Sequence, residues 1–245
     1  MRYFTSDLHF RHPFVAALRG YIKPEYADST AEDLRASARG DGARLGDMVD
    51  WETHDEDAVR SINETVDGDD EIFVLGDVSS GSRRSMEGAI ERLKSLNVPR
   101  SRRHLVLGNH ENLRNNHSDV VRLLDVFNDV SYRSSVVIAD RNVLLSHFQF
   151  AYHFAEEPAA GMSTNANSAR FARYAVVDDG RTLLLHGHTH AKTPFEFDNP
   201  REMNIGVDAW RGDPVSEEQT GARRATDGFE MVRHATSIPS PGIPC

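Results

Sequence analysis

An α/β fold is what this sequence predicts, and two observations carry the prediction. The first is a set of short apolar runs that each stop at a glycine or a polar residue. Tyr3-Phe4-Thr5 runs into Ser6-Asp7, Ile72-Phe73-Val74-Leu75 into Gly76-Asp77, and Leu105-Val106-Leu107 into Gly108-Asn109. Val143-Leu144-Leu145 leads to Ser146-His147, and Leu183-Leu184-Leu185 to His186-Gly187-His188. Runs of this kind fit interior strands of a sheet covered on both faces. The second observation is the helical spacing between them. Met86, Ala89, Ile90, Leu93 and Leu96 form an apolar stripe between the Asp77 strand and a strand over 104–107. Strand, helix, strand calls for parallel neighbours joined by a right-handed crossover. Folds of this class gather ligands at the carboxyl ends of their strands, which is where Asp77 stands.

Taken in order, the first strand ends at Asp7, and His12-Pro13 opens a short helix over 14–18 that Gly20 closes. The stretch 21–50 carries little signal. Residues 31–39 have helical character, but Gly40, Gly42 and Gly46 interrupt it, so an irregular surface excursion is expected. A helix over 55–66 follows from Ala58, Val59, Ile62 and Val66, with acidic residues in its first turn. After the helix over 86–96 and the strand over 104–107, Val120, Val121, Leu123, Leu124 and Phe127 predict a helix over 119–127. Two β runs, 134–139 and 142–146, are joined by Asp140-Arg141 as a hairpin-like turn. Residues 148–173 form an aromatic, then Gly/Ser/Asn-rich loop, long enough to suggest a part in shaping a substrate entrance. Strands recur over 182–186 and 203–207. The organisation expected is one domain over 1–210 and a polar, partly disordered C-terminal extension over 211–245.

With 245 residues the chain can bury a substantial core. Its net charge of −10 removes the global basic surface that supplies non-specific nucleic-acid affinity. Nothing near eighteen consecutive apolar residues occurs, and the N-terminus enters a strand without a hydrophobic signal core. A soluble cytoplasmic protein with no membrane partner is therefore expected. The lone cysteine, Cys245, has no intramolecular partner.

Asp7, His9, Asp77, Asn109, His147, His188 and His190 stand at strand ends, and all are oxygen or nitrogen donors. Without a thiolate among them, the set suits borderline divalent ions and not a structural zinc knot. His188 and His190, two apart on an extended segment, point the same way. One carboxylate between two ions about 3.5–4 Å apart bridges them, and such a pair clamps the attacking and leaving oxygens of a phosphoryl transfer.

The order Asp7-x-His9, Gly76-Asp77, Gly108-Asn109-His110-Glu111, a lone His147 and Gly187-His188-x-His190 resembles the calcineurin-like metallophosphoesterase superfamily. The resemblance implies an αββα fold, a two-sheet β-sandwich flanked by helices. It also implies a first metal held by Asp7, His9, Asp77 and His190 and a second held by Asp77, Asn109, His147 and His188. Mn²⁺ is the expected ion, with Zn²⁺, Fe²⁺/³⁺, Ni²⁺ or Mg²⁺ as alternatives. By the same resemblance His110 is the general acid, and Glu111 occupies the position of its acidic partner, where the family more often has Asp. The activity implied is hydrolysis of phosphoesters, diesters ahead of monoesters, by attack of a metal-bridging hydroxide. The substrate is expected to be a small molecule or nucleotide. A non-catalytic scaffold of the same fold and a nuclease of the same superfamily are the alternatives; the acidic net charge disfavours the second.

Other polar residues take plainer readings. Arg11, Arg83, Arg84 and Arg114 follow the motifs and are candidates to grip substrate oxygens, although solvated arginines are commoner. His186 is expected to pack in the core or behind the ligands. His12 lies just past the first motif; His54, His104, His117, His153 and His234 are read as surface or structural.

Overall fold

Side chains of successive strand residues face two different cores, and that alternation sets the architecture. The computed structural model describes residues 1–40, 42–111, 117–154, 171–197 and 199–221. In chain order the elements are β1 (Arg2–Thr5), α1 (Pro13–Leu18), α2 (Ala31–Gly40), α3 (Gly42–Met48), α4 (Trp51–Thr65), β2 (Glu71–Val74), α5 (Arg83–Lys94), β3 (Arg103–Val106), α6 (His117–Leu123), β4 (Asp129–Ser131), β5 (Ser134–Ile138), β6 (Arg141–Leu145), β7 (Leu183–His186), β8 (Glu202–Asn204) and β9 (Val215–Ser216).

One sheet runs β4-β3-β2-β1-β9 and the other β5-β6-β7-β8. In the first, β1 to β4 are parallel and β9 is antiparallel at the edge. In the second, β5 and β6 form an antiparallel pair, while β6, β7 and β8 are parallel. Phe4, Phe73, Leu75 and Val106 from the first sheet meet Val143, Leu145, Leu183, Leu185 and Met203 from the second. Ile72, Val74 and Leu105, turned the other way, pack with Ile62, Met86, Ile90, Leu93 and Leu123 of the covering helices. Phe150 and Val176 pack on Leu184 of β7 at the outer face of the second sheet. Two sheets face to face with helices outside give the expected αββα sandwich.

Local chemistry explains the helix starts. Pro13 opens α1 with its φ already fixed. Asp50 accepts a hydrogen bond from the Thr53 amide at 3.1 Å, so α4 begins at Trp51, before the acidic stretch that marked it in the sequence. Ser82 caps α5 in the same way.

Three expectations are corrected. The stretch 21–50 is largely helical: Leu34 of α2 and Leu45 and Met48 of α3 pack on Ala16 and Ala17 of α1. Burial there outweighs the cost of about 1 kcal/mol that each glycine adds to a helix. The hairpin turns at Ala139 and Asp140, both at positive φ (49° and 63°), one residue earlier than expected. The domain also continues past residue 210. Val215 and Ser216 pair with Phe4 and Tyr3, and the Glu217 carboxylate accepts from the Arg2 guanidinium at 2.6 Å. Most of the expected tail, 222–245, lies outside the described residues, as do 155–170 of the long loop and Arg114.

Candidate metal centre

The ends of β1, β2 and β3 from one sheet and β6 and β7 from the other open at the same end of the sandwich. Backbone pairing continues into the turns that follow. Asp7 N donates to Gly76 O at 3.1 Å, His9 N to Asp77 O at 2.9 Å, and Val207 N to Ser6 O at 3.2 Å, which joins the sheets beside the site. Asp7, His9, Asp77, His188 and His190 all adopt left-handed backbone conformations, with φ of 61°, 51°, 55°, 71° and 54°. Non-glycine residues held there cost on the order of 1–3 kcal/mol each and persist only where the surroundings over-determine them. Glycines make room at the same turns. A Cβ on Gly76, itself at φ 90°, would stand 2.6 Å from Gly108 Cα and 2.7 Å from His147 Nδ1.

The seven expected ligand residues converge. Asp7, His9, Asp77 and His147 are buried; Asn109, His188 and His190 are half-buried. Asp77 Oδ2 lies 3.4 Å from His147 Nε2, 3.7 Å from His9 Nε2 and 3.9 Å from His110 Nε2. Asp7 Oδ1 is 3.9 Å from both His9 Nε2 and His190 Nε2, and those two nitrogens are 3.2 Å apart. On the other side His147 Nε2 is 3.1 Å from Asn109 Oδ1, and the His147 and His188 rings are 5.1 Å apart.

Hydrogen bonds fix the tautomers. His147 Nδ1 faces the Leu75 carbonyl at 2.7 Å, and a carbonyl only accepts, so Nδ1 carries a proton and Nε2 is the nitrogen turned to the site. His190 Nδ1 faces the Asp208 carboxylate at 2.8 Å, with the same result. His9 Nδ1 is buried without a partner, which leaves Nε2 as its route to a bond. Burial holds His9 and His188 well below the ordinary imidazole range, in the unprotonated form a metal needs. Burial would also lower His147, but the Asp77 carboxylate overrides it and raises the ring to about 9. Burial alone would push Asp77 up; His147 beside it brings it well below the carboxylate range. A field that holds a proton so firmly between these groups is one that favours a cation. The 3.2 Å spacing of the His9 and His190 nitrogens suits neighbouring ligands on one ion with bonds of about 2.0–2.1 Å. The donor set fits divalent-metal binding.

His110 stands beside this cluster with Nδ1 at 2.9 Å from the Ser80 carbonyl. Its expected pairing with Glu111 is not what the structure shows. Glu111 is buried, and its carboxylate accepts from the amides of Gly108, Asp77 and Val78 at 2.6, 2.9 and 2.8 Å. It fastens the Asp77 turn to the Asn109 turn, and Ser80 takes the place of an acidic partner for His110. Burial, with Asp77 nearby, pushes the Glu111 carboxyl up to about 7.

Of the candidate arginines, Arg11 lies over the Trp51 ring at 4.5 Å and Arg83 pairs with Glu87 on the surface. His12 turns toward the site, its ring 5.1 Å from that of His9. His186 is buried as expected, and His153 bonds to Glu202 at 2.7 Å. Phe148, at the start of the long loop, stacks with Phe171 and Tyr174 near its other end and meets the His188 ring.

Residues that no sequence pattern marked stand behind the expected ligands. Asp208, after β8, accepts from His190, Lys192 and two nitrogens of Arg19. Arg19 also donates to the Asp7 carbonyl at 2.7 Å. Asp55, fully buried on α4, bonds to His54 and to the Arg11 amide. A carboxylate facing an imidazole is the usual support behind a metal-ligating histidine, but its sequence partner is set by the fold and no spacing rule marks it.

A two-sheet sandwich whose strand ends bring together buried carboxylates and imidazoles defines the class. The chain belongs to the calcineurin-like phosphoesterase family, whose sequence profile matches residues 3–212. It is 32% identical over 219 residues to the Gene 66 protein of Mycobacterium phage D29, covering 85% of this chain and 88% of that protein. The Gene 66 protein of Mycobacterium phage L5 is 28% identical over 244 residues, covering 95% of this chain and 94% of the relative. A solved protein of unknown function from Aquifex aeolicus shares the fold, with a TM-score of 0.54 at 18% identity over 89% of this chain and 96% of that one. No helix among the described residues is long and apolar enough to cross a membrane.

Proposed function

We propose that this chain is a dinuclear metal-dependent phosphoesterase that cleaves phosphodiesters ahead of monoesters, with His110 as general acid. The observation that carries this reading is the crowding of ring nitrogens of His147, His9 and His110 within 3.4, 3.7 and 3.9 Å of one Asp77 oxygen. Asp7, His9, Asp77 and His190 would hold one ion, and Asp77, Asn109, His147 and His188 the other. Manganese stands ahead of zinc, iron, nickel and magnesium for this thiolate-free set. Bound divalent ions supply Lewis acidity to phosphoryl oxygens and lower the pKa of a water to about 7.

The chain's own residues supply the rest. Asp7 and Asp77 bring the only formal negative charges among the ligands, since Asn109 and unprotonated imidazoles add none. The loaded site therefore keeps a positive surplus that attracts an anion to an acidic protein. His110 spends its Nδ1 proton on the Ser80 carbonyl, so a proton held at Nε2 is the one offered to the leaving-group oxygen. A diester carries less negative charge than a monoester, and a net charge of −10 repels it less.

The test strips the protein with a chelator, reloads it with Mn²⁺ and compares bis(p-nitrophenyl) phosphate, p-nitrophenyl phosphate and DNA. Turnover restored only by metal, and faster on the small diester, is the expected result. Bound metal without turnover on any substrate would identify a scaffold, and a marked preference for DNA would identify a nuclease.

A further inference from the structure

The two metal positions of the proposed site are supported by different chemistry, and one of them stands on a buried ionic node. Asp208 Oδ2 faces two donors, His190 Nδ1 at 2.8 Å and Arg19 Nη2 at 2.8 Å. Asp208 Oδ1 faces two more, Arg19 Nε at 3.2 Å and Lys192 Nζ at 2.9 Å. Arg19 extends the node to the first strand end: it donates to the Asp7 carbonyl at 2.7 Å and meets His54 Nε2 at 2.9 Å. His54 Nδ1 in turn meets Asp55 at 3.0 Å, and Asp55 accepts from the Arg11 amide at 3.1 Å. The chain of bonds thus brackets the segment from Asp7 to Arg11, in which Asp7, His9 and Arg11 all sit at positive φ. Such strain needs an outside brace. Across the site, the ring of His147 leans on a neutral carbonyl, and the ligands particular to that side, Asn109, His147 and His188, carry no formal charge in the ligating form.

We propose that Asp208, anchored by Arg19, is the positioning residue of the metal position built from Asp7, His9 and His190, and that this position is the tighter of the two. This rests on the metal-dependent reading above. A carboxylate behind a ligating imidazole fixes the ring and raises the basicity of its far nitrogen, and losing such a partner typically costs 10–100-fold in metal affinity.

Asp208→Asn tests it without changing shape. Every carboxylate oxygen of Asp208 faces donors only, so the amide NH₂ must displace one of them. If the amide oxygen stays with Lys192 and Arg19 Nε, its NH₂ faces His190 Nδ1 and drives that ring to carry its proton on Nε2, where it cannot ligate. Two readouts follow: Mn²⁺ titration of the metal-free protein by calorimetry, and the long-range ¹H–¹⁵N spectrum of its histidines. The parent should show two binding steps and a His190 protonated on Nδ1. D208N should weaken the tighter step about 10–100-fold, leave the weaker step in place and move the His190 proton to Nε2.

Asp178→Asn is the control for mere loss of a salt bridge, since Asp178 pairs with Arg201 at 2.5 Å away from the ligands. It should lower thermal stability and leave both binding steps unchanged. The proposal is overturned if D208N retains the tighter step and the tautomer, or if D178N weakens that step equally. A parent that binds two ions but turns nothing over would refute the enzymatic reading and leave this one standing; a parent that binds none would overturn both.

Discussion

The two halves of the site are braced by two buried carboxylates in opposite electrostatic situations. Burial alone would push Asp208 up, but hydrogen bonds from His190, Arg19 and Lys192, with the charge of Arg19, hold it well below the ordinary carboxylate range. Glu111, on the Asp77–Asn109 side, receives three backbone amides but no cation, and burial next to Asp77 raises it to about 7. One brace is satisfied by charge and the other by dipoles. The two metal positions proposed above would thus rest on unequal foundations, so substitutions on the two sides should not have matching effects.

The largest difference is expected from His110, which belongs to neither brace. His110→Asn should leave both ions in place and lower kcat about 10²–10⁴-fold on diesters with alkoxide leaving groups. Nitrophenyl esters, whose leaving group needs no proton, should lose far less. Equal losses on matched esters would assign His110 to phosphate positioning, and loss of an ion would make it a ligand.

Next in size is His147→Ala, on the less charged side. It should abolish the weaker of two Mn²⁺ binding steps and spare the one built from Asp7, His9 and His190. Metal content falling to zero in this variant would show that the halves do not load independently.

The smallest expected effect is a pH dependence of the metal-free protein. Glu111 has a folded value above its unfolded one, so between about pH 4.5 and 7 the unfolded state has lost the proton that the folded state still holds. Thermal stability should therefore decline as pH rises through that window, and Glu111→Gln should flatten the slope. An unchanged slope in the variant would assign the pH dependence to other groups.

How much of this was legible in the sequence follows from what each feature depends on. The seven residues expected as ligands share a local pattern, a polar residue at or just past the end of an apolar run, and the fold brings them together at one end of the sandwich. Asp208 follows Ile205-Gly206-Val207 in the same manner, yet what distinguishes it is Arg19, 189 positions away. Glu111 was read by its neighbour in the chain, whereas its carboxylate turns onto the backbone of another strand end. The helices over 31–48 were hidden because glycines broke the period that Leu34, Leu45 and Met48 restore only by packing on α1. β9 has two residues, too few to show a period, and exists because β1 offers an edge.

The proposed chemistry depends most on Asp77 lying between two ions, and counting metal tests that directly. Parent and Asp77→Asn proteins are stripped, reloaded with Mn²⁺ under saturating conditions, freed of excess metal and measured by elemental analysis. The parent should carry two ions per chain, and Asp77→Asn should carry neither firmly. A parent that holds one ion or none, or an Asp77→Asn protein that still holds two, would contradict the shared carboxylate on which the proposed chemistry rests.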